Sequence, residues 1–442
     1  MRNVSTHIKA ILLLGLPIIV GQLGIVIQGM ADTIMVGQYG TDELSASSLV
    51  NNIYNFVIFF LLGISYATTP ITGSAYGKGD QVEVSRSFRE SLLVNILFSL
   101  LVMVLLTLLY FNLDLLGQPA QIMPLVRPYF LVLMISLPFV SGFNALKQFA
   151  EAVGSTKLPM HMMVASNVLN VVLNVLLIYG MYGCPEMGLM GAGIATFIAR
   201  VFLFISLLIA MLYAKRFRRW TREQNVSATM KGCKHMTKVG FPISIQLCLE
   251  SASFNIAGIF MGWIGTIALA AHQVMCSIST LVFMIQYGIG AAAAIRISHF
   301  QGRREWDNVK RTVRIAWAMG LFTALIIVGG IYLFRYQITG IYTDDQYVQS
   351  LCFALIPSFI LYQLGDCTQI IFANSLRAIE AVSRMVLYAF ISYVLVSIPM
   401  SFLLGIVLGY GAQGIWMGIP FGLSTAALLF IYEFKRKIKN LC

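Results

Sequence analysis

Three carboxylates lie within stretches that are otherwise almost wholly apolar: Asp32, Glu250 and Asp366. Other polar side chains accompany them at helical spacing and form a polar stripe along each of these helices, namely Gln28, Gln246, Ser253, Tyr362 and Gln369. A carboxylate without a cationic partner in a medium of low dielectric constant must hold a proton or bind a cation. Oxygen-rich side chains are hard ligands that suit Na⁺, and the same carboxylates can carry H⁺. The pattern therefore predicts sites that bind a small cation or a proton.

A further apolar stretch carries Asn167, Asn170 and Asn174 on one helical face. Two interpretations stay open for these asparagines and for Gln28, because such side chains either join helices by hydrogen bonds or contribute to a site. Arg200 is the one basic residue placed to pair with one of the three acids, and its role also stays open.

The composition places these residues in a lipid bilayer. The 442 residues are 58% hydrophobic and 11% charged, with a mean hydropathy of +0.81, whereas a soluble domain is about half apolar and about one quarter charged. A membrane helix needs about 20 apolar residues. Twelve spans are predicted near 10–33, 46–71, 91–111, 124–149, 160–180, 190–213, 237–261, 268–295, 313–334, 347–373, 384–408 and 413–433. Because the remaining segments are too short for a soluble domain, function must reside in the membrane part.

The distribution of basic residues predicts the orientation. Of 30 Lys and Arg residues, only Arg127 and Arg335 lie towards one side of the predicted bundle. By the positive-inside rule, both termini are expected in the cytoplasm and the protein in the cell (inner) membrane. This asymmetry explains the net charge of +12 without a nucleic-acid partner.

The two halves of the chain repeat each other. A shift of 225 residues aligns Pro17 with Pro242 and Gly63 with Gly288, and further along the chain a shift of 223 aligns Gly142 with Gly365. The N-terminal stretch is therefore predicted to be a retained helix, because a cleaved signal peptide would not share its proline with a second copy. The two prolines predict helix bends, and the repeated glycines favour either close helix packing or bending.

The predicted fold class is an all-α polytopic membrane protein. Six spans per half is an even number, so the two six-helix lobes should be related by a pseudo-twofold axis along the membrane normal. The predicted organisation is an N-lobe over 1–213, a basic cytoplasmic linker over 214–236, a C-lobe over 237–434 and a basic tail over 435–442.

Three motifs resemble those of the MATE multidrug exporters, most closely the bacterial NorM branch: "MADTIMVGQYG", "LAAHQV" and "YQLGDCTQIIFANSLR". The resemblance implies a V-shaped fold of two lobes and export of lipophilic, often cationic, compounds coupled to Na⁺ or H⁺. This sequence has Ala378 where the family usually has glycine after "LR", which predicts an altered cytoplasmic turn.

The same resemblance implies roles for the buried polar residues. Glu250, Asp366 and Tyr362 match a C-lobe cation site. Asp32 matches an N-lobe site that also contains Asn170 and Asn174, and the other polar residues of the stripes would line a secondary cavity. Entry of the ion from outside would neutralise an acid, loosen its hold on a cationic substrate, and permit release as the two lobes alternate access.

Other functional classes are less well supported by the residues. A flippase for lipid-linked saccharides shares the plan, but the charge predicted inside this cavity is mainly acidic. A prenyl-transferase enzyme would need a second acidic cluster besides "TDDQY", and an open channel does not suit the repeat with its discontinuous acids. No glycine-rich phosphate loop is present, so neither ATP nor a cofactor is expected. The protein is predicted to act as a monomer. The residues are compatible with either Na⁺ or H⁺ as the coupling ion, and they do not identify individual substrates.

Overall fold

The computed structural model describes residues 2–117, 119, 121–221, 223 and 226–441. In this part of the chain all regular structure is helical, and twelve segments are long and apolar enough to cross a membrane. The predictions of an all-α fold and of twelve spans are therefore confirmed. Arg222, Gln224 and Asn225 of the predicted linker, and Cys442 of the predicted tail, lie outside the described residues.

The first half of the chain contains the first six spans. Its α-helices are α1 (Arg2–Tyr39), α2 (Thr41–Tyr66), α3 (Thr68–Lys78), α4 (Gln81–Phe111), α5 (Met123–Ala152), α6 (Lys157–Ile178), α7 (Gly188–Tyr213) and α8 (Lys215–Thr221). Helices α2 and α3 form one span that is broken at Ala67. Pro70 explains the break, because it has no N–H to donate to the carbonyl of Tyr66.

The second half contains the other six spans. Its α-helices are α9 (Met230–Ile264), α10 (Thr266–Gly302), α11 (Trp306–Leu333), α12 (Arg335–Tyr342), α13 (Gln346–Ala378), α14 (Met385–Ala389), α15 (Ile398–Phe402) and α16 (Gly411–Leu441). The eleventh span alternates between α-helix and π-helix, with π-helical segments at Phe390–Ser397 and Leu403–Val407. Widened turns of this kind re-aim side chains and are frequent at functional sites.

The chain forms two compact units. The N unit is Val20–Ser244, and the C unit is Met1–Ile19 together with Ile245–Cys442. The predicted lobes follow chain order, whereas this grouping divides both α1 and α9 shortly after Pro17 and Pro242. A proline removes one helical hydrogen bond, so these are points where a helix can change direction. The bends themselves stay a prediction.

The repeated glycines Gly63 and Gly288 lie at equivalent close helix crossings. In the N unit a Cβ on Gly63 would overlap the backbone of Ser244, whose Oγ donates to the carbonyl of Phe60 at 2.6 Å. In the C unit a Cβ on Gly288 would overlap the side chain of Ile19. Ser244 follows Ile19 by the same 225 residues that separate the glycines. At these two positions the packing interpretation is the one that the structure supports.

Four equivalent turns close in the same way with different residues. After α3 and α5 the left-handed position is taken by Gly79 (φ 78°) and Gly154 (φ 77°), whereas after α10 and α13 it is taken by Arg304 (φ 61°) and Glu380 (φ 55°). The turn after Ala378 therefore keeps the closure of its counterpart after α5, with matching backbone hydrogen bonds of 2.9 and 2.8 Å.

Replacing these two charged residues by glycine is expected to stabilise the protein. A left-handed conformation costs an L-residue about 1–2 kcal/mol, and the greater entropy of an unfolded glycine offsets about half of that. Arg304→Gly and Glu380→Gly should each add about 0.5 kcal/mol, visible as a higher apparent melting temperature in detergent. The control Gly79→Ala, whose Cβ would meet no atom within 4 Å, should destabilise by about 1 kcal/mol through backbone strain alone. Unchanged melting in all three variants would contradict the expectation.

The two arginines on the predicted outer side both have local partners. Arg127 donates to Asp114 at 2.7 Å and lies 5.6 Å from the ring centre of Tyr110. Arg335 lies 4.9 and 4.8 Å from the ring centres of Tyr332 and Tyr336. Because an acid or aromatic faces engage these charges, the two exceptions do not weigh against the predicted orientation.

Candidate ion-coupling sites

In the C unit, Glu250 on α9 is the acceptor of a hydrogen-bonded cluster. Its Oε2 accepts from Nε2 of Gln246 at 2.8 Å and from Nε2 of Gln369 at 3.4 Å. Gln369 also donates to the hydroxyl of Tyr393 at 3.0 Å. The structure thus brings together three residues of the predicted stripes and adds Tyr393 from the first π-helical segment.

Asp366 on α13 lies beside this cluster without joining it. It is 1% exposed, and its Oδ2 has no hydrogen-bond partner among the described residues. The same holds for Oε1 of Gln369 and for both amide atoms of Gln363. A buried polar atom without a partner costs about 1–3 kcal/mol. Glu250 and Asp366 also repel each other through space when both are ionised. This part of the C unit therefore concentrates negative charge and spare oxygen acceptors.

Tyr362 lies one helical turn before Asp366 and is 2% exposed. Its hydroxyl accepts a hydrogen bond from Oγ of Ser279 on α10 at 2.7 Å, and its ring packs edge-on against Phe254 and Trp416. The hydroxyl oxygen is therefore held rigidly near Asp366, as a ligand oxygen would have to be.

Ser253, the other predicted member of the C-unit stripe, has a separate partner. Its Oγ donates to Oγ of Ser397 at 3.2 Å, where the first π-helical segment ends. The structure thus places Ser253 in a helix-to-helix contact and gives it no bond to Glu250.

In the N unit, Asp32 on α1 joins the asparagines of α6. Its Oδ1 accepts from Nδ2 of Asn174 at 2.5 Å. Two longer bonds of 3.4 Å continue from Asn174 to Asn170 and from Asn170 to Oγ1 of Thr196 on α7. The three predicted residues are thus brought together, whereas Gln28 makes no side-chain hydrogen bond within the described part of the chain.

The carboxylates do not form a conventional metal centre. Within the described ranges, no group of three or more His, Cys, Asp and Glu side chains is placed to hold a metal ion. The chemistry of the C-unit oxygens instead suits a hard monovalent ion or a proton, with two acids and neutral oxygens around them.

A family model described as MatE matches residues 17–176 and 242–403. The two matches begin at the repeated prolines Pro17 and Pro242, and together they cover most of the chain. The chain belongs to the MatE family. The family resemblance predicted from the motifs is thereby confirmed, as is the division of the sequence into two related halves.

Curated relatives of this MatE protein match over nearly their whole length. A protein named "Probable multidrug resistance protein NorM" from Bradyrhizobium diazoefficiens is 30% identical, over 97% of this chain and 93% of its own. The "Multidrug resistance protein NorM" of Vibrio cholerae is 28% identical, over 97% and 95%.

Solved structures share the fold of this MatE protein. The outward-facing conformation of a multidrug resistance MATE family transporter of the MOP superfamily matches with a TM-score of 0.90 at 18% identity, over 98% of this chain and 96% of the other. The eukaryotic MATE transporter AtDTX14 matches with a TM-score of 0.87 at 18% identity, over 99% and 100%. The protein is thus a multi-pass membrane protein with the MATE fold.

The role of Arg200 in this MatE protein is open from the sequence, and the structure gives this residue a partner. Its Nη1 donates to Oγ of Ser136 on α5 at 2.6 Å. Within the described residues no salt bridge of 4.0 Å or less joins it to Asp32, so it acts on that acid only through space.

Sequence reasoning also missed three polar contributors: Tyr393, Ser279 and Thr196. One signal existed for Tyr393, since the repeat places it opposite Asn170. Ser279 and Thr196 had no comparable signal, because small hydroxyl residues are common on membrane helices and usually bond within their own helix.

Proposed function

We propose that this protein is a secondary active exporter that drives lipophilic, often cationic, compounds out of the cell by admitting Na⁺ or H⁺. The observation that carries the proposal is Asp366 beside the cluster around Glu250, a buried carboxylate whose Oδ2 has no hydrogen-bond partner within the described residues. An intramembrane acid is costly and is retained where it carries charge or binds a cation. The multidrug resistance names of the relatives support the substrate class.

In this proposal the C unit holds the coupling ion. Glu250 and Asp366 supply the negative charge, and the spare oxygen of Gln369 and the hydroxyl of Tyr362 supply neutral oxygen ligands to a Na⁺ ion. With H⁺ as the coupling ion, the proton would reside on a carboxylate. Either ion neutralises an acid and weakens the attraction for a cationic substrate. One charge that moves inward through 100 mV supplies about 2.3 kcal/mol.

The N unit is proposed to hold a second polar site, for the substrate or for the ion. Asp32, Asn174 and Asn170 form a continuous hydrogen-bonded line there. Within the described residues the hydrogen-bond donor to this acid is the neutral amide of Asn174, and the charge of Arg200 acts on it only through space, so the carboxylate stays available to an arriving cation. The proposal also includes two lobes over 1–213 and 237–434, with both termini in the cytoplasm. The protein is proposed to lie in the inner membrane and to act as a monomer without a cofactor.

Dye efflux from proteoliposomes tests the proposal. The full chain is reconstituted in vesicles loaded with ethidium. Efflux is followed under an imposed Na⁺ gradient or an imposed pH gradient, while an inside-negative membrane potential is held constant. Acceleration by one of the two gradients, lost when monensin or nigericin collapses it, is the expected result and names the coupling ion. Efflux that neither gradient accelerates would overturn the antiport proposal.

A further inference from the structure

We propose that Arg377 is a positioning residue of the C-unit site, which acts on Glu250 through the amide of Gln246. The inference rests on the proposed cation-coupled export and adds a residue that charge counting alone assigns to the basic cytoplasmic side. The observation is a chain of two hydrogen bonds that ends on the carboxylate.

Arg377 lies in the last turn of α13 and is 6% exposed, unlike the exposed Arg384 a few residues later. Its Nη2 donates to Oε1 of Gln246, a residue with no exposed surface. Nε2 of Gln246 in turn donates to Oε2 of Glu250 at 2.8 Å. The guanidinium group is thus connected to an acid that lies 127 residues earlier in the sequence.

The chemistry of the two groups determines the orientation of the Gln246 amide. Arginine has only donors, so the amide oxygen must face Arg377 and the amide NH₂ must face Glu250. Without the guanidinium, the amide could rotate and present its oxygen to the carboxyl group instead. Arg377 therefore keeps a donor directed at Glu250.

A donor directed at a carboxyl group favours its ionised form, because a protonated oxygen needs an acceptor instead. Arg377 also acts on Glu250 directly through space. Among the described residues, the other charged or titratable groups that act on Glu250 are Asp366 and Tyr362 from α13 and Tyr393 from the π-helical segment. None of these supplies a positive charge. Arg377 thereby makes the two acids unequal: Glu250 is prepared as an ionised ligand, and Asp366 has no such support.

The test is the pH profile of ethidium efflux at a fixed Na⁺ concentration. Arg377→Gln is expected to move the pH of half-maximal efflux upward by about one unit, because a released amide accommodates the protonated acid. Gln246→Met, which has a similar shape and no amide, should shift the profile in the same direction. Arg377→Lys keeps a charged donor and should retain most of the wild-type pH profile. Arg384→Gln removes an equal charge from the exposed neighbour and should leave the profile unchanged.

The double variant separates positioning from a purely structural role. If Arg377 acts through Gln246, then Arg377→Gln combined with Gln246→Met should shift the profile no further than Arg377→Gln alone. Additive losses, or an Arg377→Gln profile that matches that of Arg384→Gln, would overturn the inference. If Arg377→Gln does not fold, Gln246→Met decides the question by itself. A wild-type protein that responds to neither gradient would instead refute the proposed function, so the two failures are distinguishable.

Discussion

Asp366→Asn is expected to abolish gradient-driven efflux while leaving the protein folded. Asparagine has the same shape but no charge, and removal of the charge from a buried cation site costs about 3 kcal/mol, or roughly 100-fold in binding. Because Oδ2 of Asp366 has no hydrogen-bond partner within the described residues, the substitution breaks no contact at that atom. We therefore expect the apparent melting temperature to stay equal or to rise, as it does when a strained functional residue is replaced.

The measurement is ethidium efflux from proteoliposomes under the gradient that drives the wild type. Glu250→Gln should cause a comparable loss, because the acid is the shared acceptor of Gln246 and Gln369. Asp344→Asn serves as the matched control, since this exposed acid lies outside the membrane helices. Wild-type export by both Asp366→Asn and Glu250→Gln would refute the C-unit site. Loss of export together with a strongly lowered melting temperature would show instead that the carboxylate holds the fold.

Substitution at Gly63 is expected to have the largest effect on stability. The Cβ in Gly63→Ala would overlap the backbone of Ser244, which cannot rotate away, so α2 and α9 must move apart. Overpacking of this kind costs about 1–3 kcal/mol. Gly288→Ala meets the side chain of Ile19 instead, and since a side chain can adjust, we expect a smaller loss of about 1 kcal/mol.

Gly29 supplies the matched control for these variants. It lies within α1, and a Cβ there meets no atom within 4 Å, so Gly29→Ala should be neutral or stabilising by up to about 1 kcal/mol through helix propensity. The apparent melting temperatures should therefore rise in the order Gly63→Ala, Gly288→Ala, Gly29→Ala. A Gly63→Ala protein that melts as high as Gly29→Ala would show that the crossing is looser than described.

The repeat kept this scaffold while the polar sites diverged. Gly63 and Gly288 occupy the same place in their respective units, but Glu250 corresponds to Ile25 and Asp366 corresponds to Phe143 in the first half. Asp32 likewise corresponds to Ala257 in the second half. A packing glycine has one steric solution at a given crossing, so duplication preserves it. An acid has a role only if its neighbours can accept its charge, and those neighbours differ between the units.

Much of the architecture was predictable because it depends on local properties. The twelve spans follow from apolar length, and the repeat follows from residues compared at shifts of 225 and 223. The acids stood out because charge is rare in apolar helices. The contact of Gln246 with Glu250 was also predictable, since the two residues are four apart and share one helical face.

What the tertiary structure alone decided is which groups the acids meet. Gln369 reaches Glu250 across 119 residues, and Asn174 reaches Asp32 across 142. From the sequence, Arg377 is one of many basic residues predicted on the cytoplasmic side, yet in the structure it is buried against Gln246. Helical periodicity tells which side chains share a face, because it depends on the backbone of one helix. The partner of that face depends on how several helices pack, and a side-chain contact of about 3 Å requires their positions to within a fraction of a helical turn.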